Sequence, residues 1–566
     1  MGQLSDQDHP QHHTVRSRRT PRLLLAVVIA LALLAAACGS SKKTDQTSST
    51  APDGSSTAAD EGTPVDGGSL VIGVAAETNG WNPANDQIAD TGSLVVSSVL
   101  EPLATVGEDK GAKPWLADSW YPNDTFTSWV LKLHPGIKFH NGEDFDAQAV
   151  ADNIEAYKKG TLSSLALEPM LGDTAVIDPL TVQINLKQPW AAFPSSFLVG
   201  GSSFMMAPAM IKAGSDGDKN PVGTGPFVFD SWTPGGSFKA KKNPSYWRSG
   251  LPHLDSIEFK VIPEDSARAA ALQSGDVNLI LTSTAAPAND LQSSFTVVKD
   301  WTSENVFIMA NTGPQVSGTA NPLSNVHARK ALAYATDRQA VADLIGDGVS
   351  IPTSPWAPTN PWGMPDDQNG YVNFDLDQAK AELELYKKDT GNATLSFTLS
   401  GLPDVDGTRV LQLLQSQWKE IGIQTQIETL EQTAYITKAA TGNYQAAFFR
   451  NYGYSDPDMN YYFWSSSTAK GVGAISINFT QFTTPALESS LTTGRQSGFV
   501  DVRKQAYDDL TRELNSGFTN IWLYRTPYSL IAEKQVRGLT SPRTIAFGNY
   551  EPKTWLGDLW RAPSGS

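Results

Sequence analysis

Cysteine is almost absent from this sequence, since Cys38 is the only one among 566 residues. One cysteine cannot form an intramolecular disulfide or supply a zinc site of thiolate ligands, so the fold must depend on a hydrophobic core. Histidine is scarce too, with seven residues, three of which lie within the first 13 positions. The spacing of His134 and His140 matches no metal motif. We therefore expect neither a metal site nor a cofactor.

Positive charge is also in deficit, with 43 Lys and Arg against 59 Asp and Glu, for a formal net charge of -16. A body this acidic repels phosphate backbones, so nucleic acid is not an expected partner. Hydrophobic residues make up 40% and charged residues 18% of the chain, as in a folded globular protein. The length of 566 residues predicts two or more lobes rather than one domain.

Catalytic motifs are missing as well. The sequence contains no G-x-S-x-G elbow, no Gly-Lys dipeptide of a P-loop and no H-E-x-x-H element. Gly223-Thr224-Gly225 begins like a dinucleotide fingerprint, but Val228 occupies the position of its third glycine, which favours a tight turn. Paired carboxylates such as Asp456 and Asp458 are common in chains of this size. We therefore expect no catalytic residue and no enzyme activity.

The N-terminus predicts export. The N-terminal segment 1–22 is basic and precedes an apolar run of fifteen residues, Leu23–Ala37. That run is short for a membrane span of about 20 residues and is typical of a secretory signal. It ends in Ala-Ala-Ala-Cys-Gly-Ser, which resembles a bacterial lipobox with alanine where leucine is more usual. We predict a lipoprotein signal peptide at 1–37, exported by general secretion rather than the twin-arginine route, and lipidation of Cys38; the alternative is a buried free cysteine.

A polar segment follows the lipobox. Residues 39–66 consist mainly of Ser, Thr, Asp, Gly and Pro and cannot bury enough apolar surface to fold. We interpret 38–66 as the lipidated cysteine and a disordered tether. The predicted location is the outer face of the cell membrane, extracellular or periplasmic, with a lipid anchor and a globular body that is a monomer.

The globular body has the alternating helices and strands of an α/β protein. A short run of β-forming residues predicts a strand at Ser69–Val74, and alternation of polar and apolar residues predicts one at Thr181–Leu186. Helical periodicity predicts a helix capped by Asp146. Further elements are a helical stretch at Val326–Ile345 ended by Gly346, a helix at Thr408–Ile421 and a strand at Ile423–Thr429.

One segment within 113–157 holds Leu-Ala-Asp-Ser-Trp and Gly-Ile-Lys-Phe-His-Asn-Gly, and a second begins with Asn-Pro-Val-Gly-Thr-Gly-Pro-Phe at 220–227. Together these segments resemble the family 5 extracellular solute-binding proteins of the oligopeptide, dipeptide and nickel type. Weaker matches lie at 311–338, 374–381, 418–423 and 455–458. The matched segments span most of the body, from about residue 69 to residue 540.

The resemblance implies a periplasmic-binding-protein type II fold, in which two lobes joined by a hinge close on a solute. It implies domain I at 67–97, 205–281 and 523–560, domain II inserted at 98–204, and domain III at 282–522. It also implies that the protein delivers a small, peptide-like solute to an ABC permease, with ATP used by separate subunits. The alternatives are a non-peptide solute, such as a sugar, an opine or a metal chelate, and a surface receptor for signalling.

Loops at strand ends are the expected walls of the cleft. Tyrosine and tryptophan offer rigid faces with polar handles, and arginine can grip a carboxylate. The candidate ligand-binding residues are therefore Asn79, Trp81, Trp356, Trp362, Arg450, Tyr452, Tyr454 and Asp456. Core packing is the alternative for each aromatic residue, and an ion pair is the alternative for Arg450.

One departure from the family pattern concerns the solute. In peptide-binding members, an aspartate four residues before the proline of the Asp-Pro element holds the amino group of the peptide. That position is Gly453 in this sequence, because the proline is Pro457. Asp456 is closer to the proline. We therefore expect simple dipeptides to bind weakly or not at all.

Overall fold

The computed structural model describes residues 62–540, except 87, 89, 161 and 162, together with residues 555–563. The predicted signal peptide, Cys38 and the tether up to residue 61 lie outside the described residues, as does 541–554. Within the described part of the chain, none of the helices is both long enough and apolar enough to cross a membrane.

A seven-stranded sheet forms the centre of the first lobe. Its order is Phe227–Thr233, Ser237–Lys242, Ser256–Val261, Ser69–Val74, Leu279–Thr282, Tyr528–Ala532 and Thr296–Asp300. Ser69–Val74 has the predicted bounds, with Leu70 and Ile72 buried on one face. It runs parallel to both of its neighbours, whereas Tyr528–Ala532 is antiparallel to the strands on either side.

A five-stranded sheet forms the second lobe. Its order is Gln424–Thr429, Ser396–Gly401, Ala446–Tyr452, Glu304–Ala310 and Asn520–Arg525. The first three strands are parallel, and Glu304–Ala310 is antiparallel to both of its neighbours. Alternate residues of Glu304–Ala310 enter separate apolar clusters on the two faces of the sheet, with Val306 and Ile308 in one and Phe307 and Met309 in the other.

An insert in the first lobe carries a four-stranded antiparallel sheet. Its order is Ala117–Pro122, Ser128–Leu133, Thr181–Leu186 and Leu171–Asp178, and Thr181–Leu186 again has the predicted bounds. The short strands Glu101–Pro102 and Phe204–Met205 pair with each other in antiparallel register. Other two-stranded pairs are Ala104–Val106 with Ala112–Pro114, Gln315–Val316 with Thr319–Ala320, and Val536–Arg537 with Trp560–Arg561.

The α-helices cover the faces of these sheets. Their bounds are Asp90–Val99, Ala147–Lys159, Ser164–Leu167, Pro208–Ala213, Asp265–Ser274, Ala285–Leu291, Val326–Tyr334, Arg338–Ile345, Leu376–Thr390, Val405–Glu420, Gln432–Ala440, Tyr461–Trp464, Pro485–Gln496 and Val500–Gly517.

Helix caps explain where the predicted helices begin. Asp146 accepts a hydrogen bond of 2.9 Å from the Ala149 N–H, which confirms the predicted cap. The stretch predicted at Val326–Ile345 is two helices, because Asp337 caps a second one through the Ala340 N–H at 3.1 Å. Gly346 ends that second helix at a φ of 145°. The helix predicted at Thr408–Ile421 spans Val405–Glu420, because its cap is Asp404.

Within the part of the chain that the structure describes, two segments cross between the two large sheets. Residues 301–303 join Thr296–Asp300 to Glu304–Ala310, and residues 526–527 join Asn520–Arg525 to Tyr528–Ala532. We call the part before residue 301 and after residue 527 lobe one, and residues 304–525 lobe two. The sequence-based domain limits fall instead at 281/282 and 522/523, and those limits stay a prediction.

Candidate functional site

The carboxyl ends of the parallel strands in both lobes point toward the two crossings. In lobe one, Ser69–Val74 and Leu279–Thr282 end at the edge where Thr296–Asp300 leads into the first crossing. In lobe two, the parallel strands end beside Glu304, whose partner in register is Tyr452. Ligands of open α/β sheets bind outside the carboxyl ends of strands. The candidate site is therefore the interlobe cleft, bounded by the loops at 75–86, 283–284, 402–404, 430–431 and 453–456.

A buried carboxylate, Glu304, lies at the base of this cleft. Its Oε2 accepts hydrogen bonds from Arg450 Nη1 at 3.3 Å, from the Tyr528 hydroxyl at 3.2 Å and from the Thr526 hydroxyl. Nearby, Arg525 Nη1 donates to Asn305 Oδ1 at 2.6 Å and to the Thr302 carbonyl at 3.1 Å. Polar contacts therefore tie together the two chain crossings and the strands that leave them.

Arg450 is the predicted site residue at the base of the cleft. Its side chain is 8% exposed and forms an ion pair with Glu304 inside lobe two. Its positive charge also affects the pKa of two nearby groups, Asp404 and Tyr435. Burial raises the pKa of Asp404, and the Gly407 N–H and the Arg450 guanidinium oppose that rise. Burial also raises the pKa of the Tyr435 hydroxyl, which Asp404 raises further and Arg450 lowers. The Arg450 guanidinium is thus already paired with one carboxylate and lies within electrostatic reach of a second one inside lobe two.

Gly453 lies where the peptide-binding pattern has its aspartate. The Gly453 N–H donates to the Ser303 carbonyl at 2.6 Å, and a Cβ on this residue would come within 2.4 Å of the Pro355 carbonyl oxygen. This backbone contact leaves no room for a side chain. The loop therefore cannot present a carboxylate from position 453 in this arrangement.

Asp456 lies three residues further along the same loop. Both of its carboxylate oxygens accept from Arg503 Nη2, at 2.7 and 2.8 Å, and Oδ2 also accepts from the Ser195 hydroxyl at 2.5 Å. Its side chain is buried, and Asp456 also caps the short helix Pro457–Asn460 through the Asp458 N–H. In this arrangement its carboxylate is occupied by protein donors from both lobes.

The remaining predicted residues of lobe two gather around the same loop. Trp362 donates from its indole nitrogen to the Ser455 carbonyl at 2.9 Å. Trp356 is buried edge-on against Trp464, with ring centroids 5.7 Å apart, and its indole N–H meets no acceptor among the described residues. Tyr454 is half-buried beside them. Tyr452 ends the strand Ala446–Tyr452.

The predicted residues of lobe one lie on the loop after Ser69–Val74. Trp81 packs edge-on against Phe238 and Trp232, with centroids at 4.7 and 5.3 Å, and is buried on the seven-stranded sheet. Asn79 is exposed and donates to Asp86 Oδ1 at 3.3 Å. Burial raises the pKa of Asp86 to about 6; the Asn82 N–H opposes the rise and the charge of Asp218 adds to it.

The structure thus gathers Trp362, Tyr454 and Asp456 on one side of the cleft and places Asn79 and Trp81 in the other lobe. Sequence reasoning missed Glu304, Asp404 and Tyr528 at the base of the cleft. A charged residue at the start of the apolar strand Glu304–Ala310 was the available signal. Within the described ranges, no group of three or more His, Cys, Asp or Glu side chains is arranged to hold a metal ion.

Comparison with known proteins shows which protein family the chain matches. The family model described as bacterial extracellular solute-binding proteins, family 5 Middle, matches residues 111–472. The glutathione-binding protein GsiB of Salmonella paratyphi A is 29% identical over 422 residues, which covers 72% of this chain and 77% of that protein. The same protein from Escherichia coli O6:K15:H31 is 28% identical over 419 residues, with the same coverage.

Solved structures share the fold. The oligopeptide-binding protein AppA of Bacillus subtilis, in complex with a nonapeptide, superposes with a TM-score of 0.72 at 22% identity, covering 88% of this chain and 100% of that one. The periplasmic binding protein DppA of Helicobacter pylori, in complex with the peptide STSA, gives a TM-score of 0.73 at 20% identity, covering 88% and 99%. The expected periplasmic-binding-protein type II fold is confirmed.

Proposed function

The chain belongs to the bacterial extracellular solute-binding proteins of family 5, and from this premise we propose that it captures a small, peptide-like solute in the interlobe cleft and delivers it to an ABC permease. The observation that supports this most is the arrangement of the two sheets, whose carboxyl edges face one another across the crossings at 301–303 and 526–527. Members of this family are transport proteins, and ATP hydrolysis belongs to separate subunits of the importer.

Closure of the two lobes explains how capture can work. A few residues at 301–303 and 526–527 absorb the rotation, and solute contacts that exist only in the closed form shift the population toward it. Moving a two-state equilibrium from 1:99 to 99:1 requires roughly 5.5 kcal/mol of differential binding. Hydrogen bonds to charged groups contribute roughly 1.5–3 kcal/mol each, so a few of them suffice.

Arg450 is the side chain we assign to an acidic group of the solute. It lies at the base of the cleft, carries a fixed positive charge and is grouped with Glu304 and Asp404, so it is held in place before the solute arrives. The relatives named for glutathione and the neighbour solved with a nonapeptide bind molecules that contain carboxylates. We propose the same chemical class for this chain. Half-buried Tyr454 then supplies an apolar contact, whereas Trp356 and Trp362 are buried in an apolar cluster of lobe two.

Gly453 favours a second candidate function, the binding of a non-peptide acidic solute such as an opine or a metal chelate. The close approach of Pro355 excludes a carboxylate at this position, so a peptide amine would need another anchor. One solved neighbour, the protein AgaA, was crystallised with agropinic acid. A peptide-like solute carries an N-terminal amine that must be bound, whereas a non-peptide acidic solute need not. Both kinds of solute carry the acidic group that Arg450 would bind.

The site of action follows from the N-terminal sequence. We propose that Cys38 carries lipid after removal of residues 1–37, and that residues 39–66 tether the two lobes at the outer face of the membrane as a monomer. A tether of this kind keeps the cleft near the permease without fixing its orientation.

Isothermal titration tests the proposal with a defined panel: reduced glutathione, a mixed set of di- and tripeptides, and the same peptides amidated at the C-terminus. We expect micromolar or tighter binding of at least one acidic solute and a large loss on amidation. Equal affinity for the free and the C-terminally amidated peptides would overturn the proposed role of Arg450. Tight binding of dipeptides through their free N-terminal amine would overturn the weak binding that we expect from Gly453.

A further inference from the structure

A second set of contacts joins the lobes away from the crossings. Hydrogen bonds between the insert of lobe one and lobe two run in both directions. Lobe two donates from the Tyr462 hydroxyl to the Ala166 carbonyl and from Arg495 Nη1 to Met170 Sδ at 3.3 Å. The insert itself donates three. The Trp190 indole N–H donates to Asp458 Oδ2 at 2.6 Å, the Ser195 hydroxyl donates to Asp456 Oδ2 at 2.5 Å, and the Ala192 N–H donates to the Arg495 carbonyl at 3.1 Å. Trp190 and Asp458 are separated by 268 positions in the chain, so their contact depends on how the two lobes pack against each other.

The two carboxylates are anchored firmly inside lobe two. Arg495 Nε donates to Asp458 Oδ1 at 2.6 Å, and Arg503 donates to both oxygens of Asp456. The attraction of Asp458 raises the pKa of Arg495, and that of Asp456 raises the pKa of Arg503, against the opposing effect of burial, which is the largest contribution in each case. Arginines of their own lobe therefore hold both carboxylates in place, where they can accept donors from the other lobe.

Trp190 is fixed just as firmly inside lobe one. Its ring packs edge-on against Phe193 at 5.4 Å and against Phe197 at 6.3 Å, and its carbonyl accepts from the Trp129 indole at 3.1 Å. The ring also faces the Arg495 guanidinium at 5.0 Å. Each side of the contact is thus rigid by itself. Only the approach of the two lobes brings the donors to the carboxylates.

Opening of the cleft would separate these groups without disturbing their anchors. Asp456 and Asp458 would keep Arg503 and Arg495, whereas Ser195 and Trp190 would exchange their partners for water. The closed form therefore gains charge-assisted hydrogen bonds that no solute supplies. The contact also explains why Asp456, which the sequence places in a loop at a strand end, is directed to lobe one.

We propose that Trp190 and Ser195 are positioning residues that form a lobe latch with Asp458 and Asp456, so that closure is favoured even before a solute binds. The proposal rests on the proposed function in one respect only, namely that the lobes open and close around the cleft. A latch of this kind lowers the binding energy that a solute must provide, and it sets the closed geometry that the permease meets.

Distance measurement by double electron–electron resonance tests the latch directly. The full chain carries Cys38→Ser, so that spin labels at Ile177→Cys and Leu385→Cys are the only thiol sites. Both positions are exposed, at 58% and 41%, with Ile177 in the insert of lobe one and Leu385 on a helix of lobe two. The variants are Trp190→Phe, which keeps an aromatic ring and removes the N–H donor, Ser195→Ala, and the double variant.

Trp115→Phe is the matched control, because the Trp115 indole donates to the buried carboxylate of Glu101 at 2.9 Å within lobe one. We expect the parent protein without solute to show a dominant short distance. The double variant should shift at least half of that population to a longer distance, and Ser195→Ala alone should shift a smaller part. The control should keep the parent distribution. Its folded state and that of each variant are checked by near-ultraviolet circular dichroism.

The latch is overturned if the parent protein is mainly open without solute, if Ser195→Ala and the double variant keep the parent distribution, or if Trp115→Phe shifts it equally. Titration with reduced glutathione separates this result from the proposed function. About tenfold weaker binding in the double variant supports both proposals. If the distances shift as expected and no protein binds any member of the solute panel, the latch stands and the proposed function fails.

Discussion

Tyr528 and Glu304 belong to different sheets, and the Tyr528 hydroxyl donates a hydrogen bond of 3.2 Å to Glu304 Oε2. Glu304 starts the strand that leaves the first crossing, and Tyr528 starts the strand that leaves the second. The bond therefore joins the two lobes at the point where they must turn against each other. Because Glu304 is fully buried, its other donors, Arg450 and Thr526, cannot be replaced easily by water.

Removing the Tyr528 hydroxyl should destabilise the region where the two chain crossings join the lobes. Tyr528→Phe keeps the ring and leaves Glu304 one donor short, and we expect a loss of roughly 1.5–3 kcal/mol in the free energy of unfolding, the usual contribution of a hydrogen bond to a charged group. Urea denaturation measures it. Tyr121→Phe, at a side chain that is 57% exposed, should change the free energy by no more than about 0.5 kcal/mol. Equal effects of the two variants would show that the bond to Glu304 contributes nothing.

Gly453 should not tolerate a side chain. A Cβ at this position would lie 2.4 Å from the Pro355 carbonyl oxygen, which belongs to the backbone and cannot rotate away. We expect Gly453→Ala to lower the free energy of unfolding by about 1–3 kcal/mol, the range for overpacked sites. Gly453→Asp should be at least as destabilised and should gain no affinity for dipeptides in isothermal titration.

Gly111→Ala serves as the control for this site, because the nearest atom to its added Cβ is a side-chain oxygen of Asp109 at 3.3 Å. That carboxylate is free to move by a few tenths of an ångström. Gly111→Ala should therefore change stability much less than Gly453→Ala. A stable Gly453→Asp variant that binds dipeptides tightly would contradict our interpretation of the loop.

Replacing Arg450 by lysine should weaken the binding of acidic solutes while the protein stays folded. Lysine keeps the charge opposite Glu304 but lacks the planar pair of donors that matches a carboxylate. We expect the dissociation constant for the best acidic solute to rise about tenfold, or about 1.4 kcal/mol. Arg409→Lys, which alters an ion pair with Asp406, should leave the constant unchanged. The proposed role of Arg450 is wrong if both variants bind like the parent.

His140 should make stability depend on pH. Burial lowers its pKa to about 4, and its Nε2 donates to the Gly225 carbonyl at 2.9 Å. The unfolded chain binds a proton near pH 6.5, whereas the folded protein does so only near pH 4, so this stabilisation is complete above pH 6.5 and is lost as the pH falls toward 4. The full loss amounts to about 3 kcal/mol.

His140→Gln provides the test, because its amide nitrogen can still donate to Gly225 and glutamine does not titrate. The difference in unfolding free energy between parent and variant, measured in urea at pH 7 and at pH 4.5, should shrink by most of that amount at the lower pH. Parallel pH profiles for the two proteins would mean that His140 titrates alike in the folded and unfolded chains.

Local signals in the sequence predicted the elements well where one cap or one alternation decides them. Ser69–Val74 and Thr181–Leu186 have their predicted bounds, and Asp146 caps its helix as expected. The interruption after Tyr334 was missed, although Asp337 is a good cap, because apolar residues continue the helical period on both sides of it. Local pattern gives the element, and the cap decides its end.

Contacts between distant parts of the chain were beyond local pattern. The pairing of Trp190 with Asp458 and of Glu304 with Tyr528 depends on how the two lobes meet, and nothing within a few residues of these side chains indicates it. Arg450 was predicted as a site residue from its chemistry and its place at a strand end, whereas its partner Glu304 was not. The roles of the predicted aromatic residues in binding stay a prediction.

Native mass spectrometry of the protein purified from its own cell envelope can decide whether the cleft holds an unaltered solute. We expect one small molecule bound noncovalently per chain, released by denaturation with the mass and structure of the free solute. A covalent adduct, or the release of a molecule that differs chemically from the one supplied, would contradict capture without chemistry.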